Sequence, residues 1–128
     1  MTHRFKNHYT VEEARALLPS VRKWLKEMNE LRQWLREREE ELGASLGEGR
    51  DQGGEKVNGW VKHLCQLQRL AREFQSREIQ VKDLERGLLD FPAIIGGREV
   101  FLCWEQDEED IEFWHDLESG YAGRERLH

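Results

Sequence analysis

The stretch Leu88–Glu105, LLDFPAIIGGREVFLCWE, decides the fold of this 128-residue chain. Gly96-Gly97 supplies the positive φ angles that a two-residue hairpin turn needs, and apolar runs flank the pair on both sides. We therefore predict a strand, a tight turn and a second strand. Pairing outward from the turn places Phe91 beside Leu102.

A third strand is expected after the acidic turn Asp107–Asp110, because the pattern from residue 111 to residue 117 is again typical of a strand. Together the segments predict a three-stranded antiparallel β-meander over residues 88–117. Pro92 cannot donate a ladder hydrogen bond, so we expect the first strand at the sheet edge and Arg98–Glu105 at the sheet centre.

The faces of the meander depend on the register at the acidic turn. A four-residue turn sends mostly apolar side chains toward the helices, including Phe113, with His115 among them. A three-residue turn would bring Cys103 opposite His115, but it would bury carboxylates without partners, which costs several kcal/mol. We therefore expect Cys103 and His115 on opposite faces. The mixed outer face is expected to carry Asp90, Phe101, Cys103, Trp114 and Asp116.

Helical periodicity dominates residues 10–77. Thr10-Val11-Glu12-Glu13 is a capping box, and apolar residues then recur at helical spacing to about Leu42. Pro19 removes a backbone donor, which predicts a kink or a short break near that position. The residues before Thr10 are expected to be an untethered polar tail.

A second helix is predicted from Val57 to about Arg77, where apolar residues again follow the helical period. The glycine-rich segment 43–56 cannot build a core and is expected to be a flexible surface loop. The two helices then form an antiparallel hairpin.

These elements predict an α+β fold, in which a long antiparallel helical hairpin packs on a three-stranded antiparallel β-meander. The chain length suits one modest hydrophobic core, so residues 1–128 are expected to form a single domain. Residues 118–128 are expected to form a C-terminal tail.

The charge distribution narrows the function classes. The net charge is −6, and from Glu99 to His128 ten acidic residues face only Arg124 and Arg126. Such a surface repels phosphate, so nucleic-acid binding is disfavoured. No apolar run is long enough for a membrane span or a signal peptide. Two distant cysteines indicate reduced thiols and a cytoplasmic location.

Three stretches of the chain resemble a known family. NHYTVEEARALLPSV, VKDLERGLLDFP and REVFLCWE with IEFWHDLESGYAGR are similar to the uncharacterised bacterial family DUF2203. The resemblance implies a small intracellular bacterial protein and supplies no catalytic residues, and it carries a loose association with metal binding. The residues on the family pattern are Asp83, Gly87, Asp90, Pro92, Cys103, Trp104, Trp114, His115, Gly120, Gly123 and Arg124.

A divalent metal ion is a possible cofactor. A transition-metal site needs three or four His, Cys, Asp or Glu groups converging at about 2 Å from one ion. Asp90, Cys103 and Asp116 on the mixed face could begin one site. His115 with Asp83 or Glu85, near the helix-to-sheet junction, could begin another. The alternative is structural, with Cys103 as a small apolar strand residue and His115 as a hydrogen-bonded core histidine. Thiol catalysis is disfavoured, because a carboxylate beside Cys103 raises the thiol pKa.

Interaction with other macromolecules gives a second class of function. Phe101 and Trp114 stand among acids and could contact a protein partner, while Arg124 could bind a carboxylate or phosphate or simply pair with one of the acids. The wide apolar arc of the helices predicts a homodimer through the helices, with a monomer as the alternative. The first hypothesis is a non-enzymatic, dimeric interaction or binding module. The alternative is a metal-binding protein or a small metal-dependent enzyme.

Overall fold

A computed structural model describes residues 3–47 and 53–127 and has an α+β architecture. Two helices pack together, and an antiparallel five-stranded sheet, whose strands lie side by side in chain order, follows them. A 3₁₀ turn, Tyr121–Gly123, precedes the last strand. The elements are α1 Val11–Gly47, α2 Gly53–Gln75, β1 Gln80–Asp83, β2 Leu88–Ile95, β3 Arg98–Glu105, β4 Phe113–Asp116 and β5 Glu125–Arg126.

α1 begins as predicted and extends beyond Leu42, whereas α2 begins at Gly53, earlier than the predicted Val57. The Thr10 N–H donates to Glu13 Oε1 at 3.0 Å, and the Glu13 N–H donates to Thr10 Oγ1 at 3.1 Å, which confirms the capping box. α1 continues through Pro19, so the predicted break there is wrong. α1 and α2 also occupy most of segment 43–56, which was predicted to be a loop. Residues 48–52 of that segment lie outside the described residues.

The Gly96-Gly97 hairpin has the predicted register. Phe91 lies opposite Leu102, and both glycines have positive φ angles, 59° and 77°. The predicted edge position of β2 is wrong, because the short strand β1 pairs with it. Pro92 lies beyond the last pair that β1 makes, so its missing donor faces no strand. Its carbonyl instead accepts the Tyr9 N–H at 2.7 Å.

The register of β4 differs by one residue from the prediction. His115 lies opposite Phe101, and Trp114 lies opposite Leu102. Because paired residues of antiparallel strands share a face, His115 is on the outer face and Trp114 is on the helix side. The predictions that Phe113 and His115 face the helices and that Trp114 and Asp116 face outward are therefore wrong.

The irregular segment before β4 gives the physical reason for this register. Ile111 is fully buried in the core although it precedes the strand, so the chain fills that core position without extending the β3–β4 ladder. Arg15 fixes the segment by donating to the Ile111 carbonyl at 3.0 Å. Arg22 likewise donates to the carbonyls of Gln106 and Glu108, both at 2.8 Å.

The main core lies between the sheet and the helices. One face of β2 and β3 packs against the apolar stripe of α1, and Phe74 of α2 completes the contact. Among the described side chains of both helices, Val61 is the large apolar residue that remains exposed, at 48%. The homodimer through the helices stays a prediction. The fully buried sheet residues of this core include Leu89, Phe91, Val100, Leu102 and Trp104.

The outer face of the sheet is also covered. Residues 3–10, which we call the N-terminal strap, lie across it, and Phe5 packs on Phe101 with ring centroids 5.4 Å apart. Glu99 holds the strap, since its carboxylate accepts the N–H groups of Arg4 at 2.7 Å and Phe5 at 3.0 Å. The expectation of an untethered N-terminal tail is wrong.

The C-terminal residues form a sheet edge. β5 pairs with β4, with Arg126 opposite Phe113, and the Leu127 N–H donates to the Glu112 carbonyl at 2.7 Å. The sheet therefore has five strands where three were predicted, because the sequence signals of four-residue β1 and two-residue β5 are too short to stand out. Neither helix combines the length and the apolar composition that crossing a bilayer requires, as judged over the described residues.

The observed register predicts that Trp114→Ser destabilises the protein. Trp114 packs against the core, so losing its ring should lower the free energy of unfolding by about 2–3 kcal/mol. Tyr121→Ser, at an exposed aromatic, is the matched control and should cost less than about 1 kcal/mol. Chemical denaturation of both variants measures the difference. Equal stabilities for the two variants would contradict the β4 register.

The Glu99 contacts predict an acid-sensitive strap. Burial would raise the pKa of Glu99, but hydrogen bonds from His8, Arg4 and Phe5 lower it from 4.5 to about 2. Because the folded-state pKa is depressed, Glu99 stabilises the fold above about pH 4.5, and this contribution is lost as the pH falls toward 2. The stability difference between the parent and Glu99→Gln should therefore shrink across this window in denaturation experiments. A difference that is constant with pH would refute this role.

Candidate functional site

Three chemically reactive side chains meet on the outer face of the sheet. Asp90 of β2, Cys103 of β3 and His115 of β4 place one ligand atom each within 4.8 Å of one another. They are 3%, 1% and 2% exposed. Asp90 pairs with Cys103, as predicted from the hairpin, and the observed β4 register adds His115. The expectation that Cys103 and His115 lie on opposite faces is wrong.

The hydrogen bonds of His115 define where its protons lie. Nδ1 is 2.6 Å from the Asp116 carbonyl oxygen, and since a carbonyl only accepts, Nδ1 must carry a proton. Nε2 is 2.9 Å from Asp90 Oδ1. That contact requires one further proton between the two atoms. The Asp90–His115 pair therefore has no net charge, whether the proton resides on the imidazole or on the carboxyl group.

The environment of Cys103 keeps its thiol protonated. Burial, together with the nearby Asp90 charge, raises the pKa of Cys103 to about 12, although a hydrogen bond from Arg124 opposes the rise. Burial also raises the pKa of Asp90, against the opposing effect of its hydrogen bond with His115. Both nitrogens of His115 are engaged, so it cannot take the Cys103 proton. The cluster is not an activated nucleophile.

Arg124 joins this cluster to the surface. Its guanidinium forms two contacts with the Glu108 carboxylate, at 3.2 Å and 3.0 Å, and it stacks on Phe113 at 3.9 Å and on Tyr121 at 4.3 Å. Its positive charge also lowers the pKa of the Cys103 thiol against the larger effect of burial. The structure thus places Arg124 in the alternative role considered from the sequence, as the partner of an acid.

Asp116 does not join the cluster through its side chain. It pairs with Val100, so its carboxylate lies on the other face of the sheet, where it forms an ion pair with Arg98. Its backbone carbonyl, rather than its carboxylate, contacts His115. Of the four residues proposed for a metal site, the structure therefore brings together Asp90, Cys103 and His115.

The predicted interaction surface of Phe101 and Trp114 does not form. Phe101 is 3% exposed, lies under Phe5 and packs on the His115 ring, with centroids 5.5 Å apart. Trp114 packs on the other side of the sheet, against the main core. The two aromatic residues lie on opposite faces and cannot present one surface to a partner.

Five surface cavities in the described part of the chain lie away from the cluster. They are lined by the helices and by residues where the helices meet the sheet. Asp90, Cys103 and His115 line none of these five. The cluster is therefore a closed polar site between strands rather than the floor of a substrate cleft.

Comparison with known proteins identifies a family and no characterised relative. Residues 7–127 match the sequence profile of the family described as "Uncharacterized conserved protein (DUF2203)". No curated protein and no solved structure matches the chain.

The two cysteines are predicted to differ sharply in reactivity. Cys65 is exposed on α2, whereas Cys103 is buried with a raised pKa. In the folded protein, iodoacetamide should therefore modify Cys65 and leave Cys103 intact until the chain is unfolded. Mass spectrometry of peptides measures both sites. As the control, Cys65→Ser should show no modification under native conditions, and rapid labelling of Cys103 would contradict the burial argument.

Proposed function

The chain belongs to the DUF2203 family, and we propose that it is a non-enzymatic protein that binds a divalent transition metal ion of the zinc class in the interior of its sheet. The observation that carries this proposal is the convergence of Asp90, Cys103 and His115, whose ligand atoms lie within 4.8 Å of one another. Carboxylate, thiolate and imidazole are the three ligand types that zinc takes in proteins.

The contact of His115 with the Asp116 carbonyl supports this proposal. Metal-ligating histidines commonly donate their other ring N–H to a carbonyl or carboxylate, which fixes the tautomer and the ring orientation. Here Nδ1 donates to the carbonyl and Nε2 points at Asp90. The imidazole therefore already has the orientation in which Nε2 serves as the ligand.

Charge balance favours a divalent ion. The Asp90–His115 pair holds one proton between its two side chains, and the Cys103 thiol holds another. A divalent cation that replaces both protons leaves the buried site with the same net charge. Burying an uncompensated charge is costly, so this exchange selects a divalent ion over a monovalent or trivalent one.

The ligand types narrow the choice of ion further. Mg²⁺ and Ca²⁺ take oxygen ligands, and only Asp90 supplies oxygen here. Thiolate and imidazole suit Zn²⁺ and its spectroscopic substitute Co²⁺. The sulfur of Cys103 therefore makes zinc the best match among common divalent ions.

A structural rather than catalytic metal follows from the burial of the ligands. They come from three neighbouring strands, β2, β3 and β4, so one ion would tie the centre of the sheet together and add its binding energy to folding. Arg124 stacks on Phe113, which lies opposite Cys103, and Phe101 packs on His115. Three protein ligands leave one tetrahedral position for a water molecule, which these contacts shield from substrates.

We further infer a reducing compartment, the bacterial cytoplasm. Both cysteines are free, and Cys65 is exposed on α2. Exposed thiols persist where glutathione and thioredoxin keep them reduced. A thiol ligand such as Cys103 must also stay reduced to bind a metal ion.

Cobalt titration tests the proposal. The full-length protein, purified without a histidine tag, should bind Co²⁺ at the buried site with a thiolate-to-cobalt charge-transfer band in the near ultraviolet. Cys103→Ala should abolish this band, and Cys65→Ser should retain it, because only Cys103 lies in the cluster. Zn²⁺ binding at that site near pH 7 should release about two protons, as measured with a pH indicator in weak buffer.

Two further variants separate metal binding from folding. His115→Gln and Asp90→Asn preserve side-chain volume, and each should weaken Zn²⁺ binding by more than about tenfold. Far-UV circular dichroism without metal checks that each variant is folded. A charge-transfer band that persists in folded Cys103→Ala, or that is absent from the parent, would overturn the proposal.

A further inference from the structure

A second group of metal-ligating side chains lies where the N-terminal strap crosses the start of β3. His3, His8 and Glu99 place one ligand atom each within 4.8 Å of one another. His3 is exposed, and His8 and Glu99 are half-buried. This group lies at the Arg98 end of β3, whereas Cys103 lies near the other end. The two groups share no residue.

Glu99 is held as a metal-ligating carboxylate would be. The Arg4 N–H donates to Oε1 at 2.7 Å, and the Phe5 N–H donates to Oε2 at 3.0 Å. Backbone donors of this kind fix the orientation of a carboxylate and keep it ionised. Each carboxylate oxygen has one acceptor position beyond these backbone bonds, because a carboxylate has about four such positions, and on Oε2 this position faces His8.

The two imidazoles lie beside this carboxylate. His8 Nε2 is 2.7 Å from Glu99 Oε2, and the rings of His3 and His8 meet edge to face with centroids 5.1 Å apart. The proton between His8 and Glu99 occupies the place where a metal ion would join the same two atoms. His3, on the exposed side, can supply the third ligand by a side-chain rotation in solvent.

We propose that His3, His8 and Glu99 form a second, solvent-accessible binding site for a divalent transition metal ion. Two imidazoles and one carboxylate are a ligand set of zinc and of non-haem iron, and they leave coordination positions open to water. An ion bound here joins the strap to β3. This site goes beyond the buried cluster, because it has no sulfur ligand and its ions exchange directly with solvent.

Zinc calorimetry on the folded Cys103→Ala protein isolates this second site. The variant lacks the sulfur ligand of the buried cluster, so about one Zn²⁺ should bind with its affinity set by His3, His8 and Glu99. His3→Ala, introduced into this background, should weaken binding by about tenfold or more, and so should His8→Ala. His63→Ala is the matched control, because His63 stacks on Trp34 in the helical hairpin, away from the strap.

Cobalt spectra distinguish this site from the buried one. In the Cys103→Ala background, Co²⁺ bound by His3, His8 and Glu99 should show ligand-field bands without a thiolate charge-transfer band, and adding His3→Ala should remove these bands. In the parent protein, His3→Ala should leave any charge-transfer band unchanged. His3 is exposed, so His3→Ala should melt at the parent temperature. Failure of the buried site would abolish the charge-transfer band and leave the ligand-field bands in place. Zinc affinity that is the same in His3→Ala, His8→Ala and His63→Ala would overturn the second site.

Discussion

The hydrogen bond between Asp90 and His115 is the constraint on which the sheet depends. An ionisable carboxyl group buried without a partner costs several kcal/mol, and Asp90 is almost completely buried. Its partner sits two strands away, so β4 must keep the register that places His115 on the same face. A slip by one residue would turn His115 toward the helices and leave Asp90 unpaired. The same slip would remove Trp114 from the core. The Asp90–His115 pair and the apolar core therefore favour the same register between β3 and β4.

Periodicity and turn chemistry predicted the local elements because both are properties of short stretches. The capping box at Thr10, the helical spacing and the Gly96-Gly97 hairpin all specify structure within a few residues. The β4 register was wrong because it rested on counting apolar residues on a face that was assumed to be open. The strap covers that face, and when both faces of a sheet are buried, apolar counts no longer discriminate between registers.

The sequence predicts only the part of the candidate site that depends on local strand pairing. The hairpin alone places Asp90 opposite Cys103, and this pair follows directly from the glycine turn. His115 joins them through the irregular segment before β4, which Arg15 and Arg22 fix from α1, and no local signal reports such contacts. Buried carboxylates do need partners, and here the buried carboxylate is Asp90. Its partner His115 comes from tertiary structure, which no short stretch of sequence specifies.

The N-terminal strap affects how a metal ion would reach each of the two proposed sites. The inner face of the sheet is closed by the helical core, so an ion can reach Asp90, Cys103 and His115 only from the outer side. On that side Phe101 packs on His115, and Phe5 of the strap packs on Phe101. Glu99 fixes the strap in this position. Loading of the proposed buried site would therefore require either folding around the ion or movement of Phe101 and of Phe5 above it. Because Glu99 contacts the strap, protonation or metal binding at this carboxylate would couple the two proposed sites.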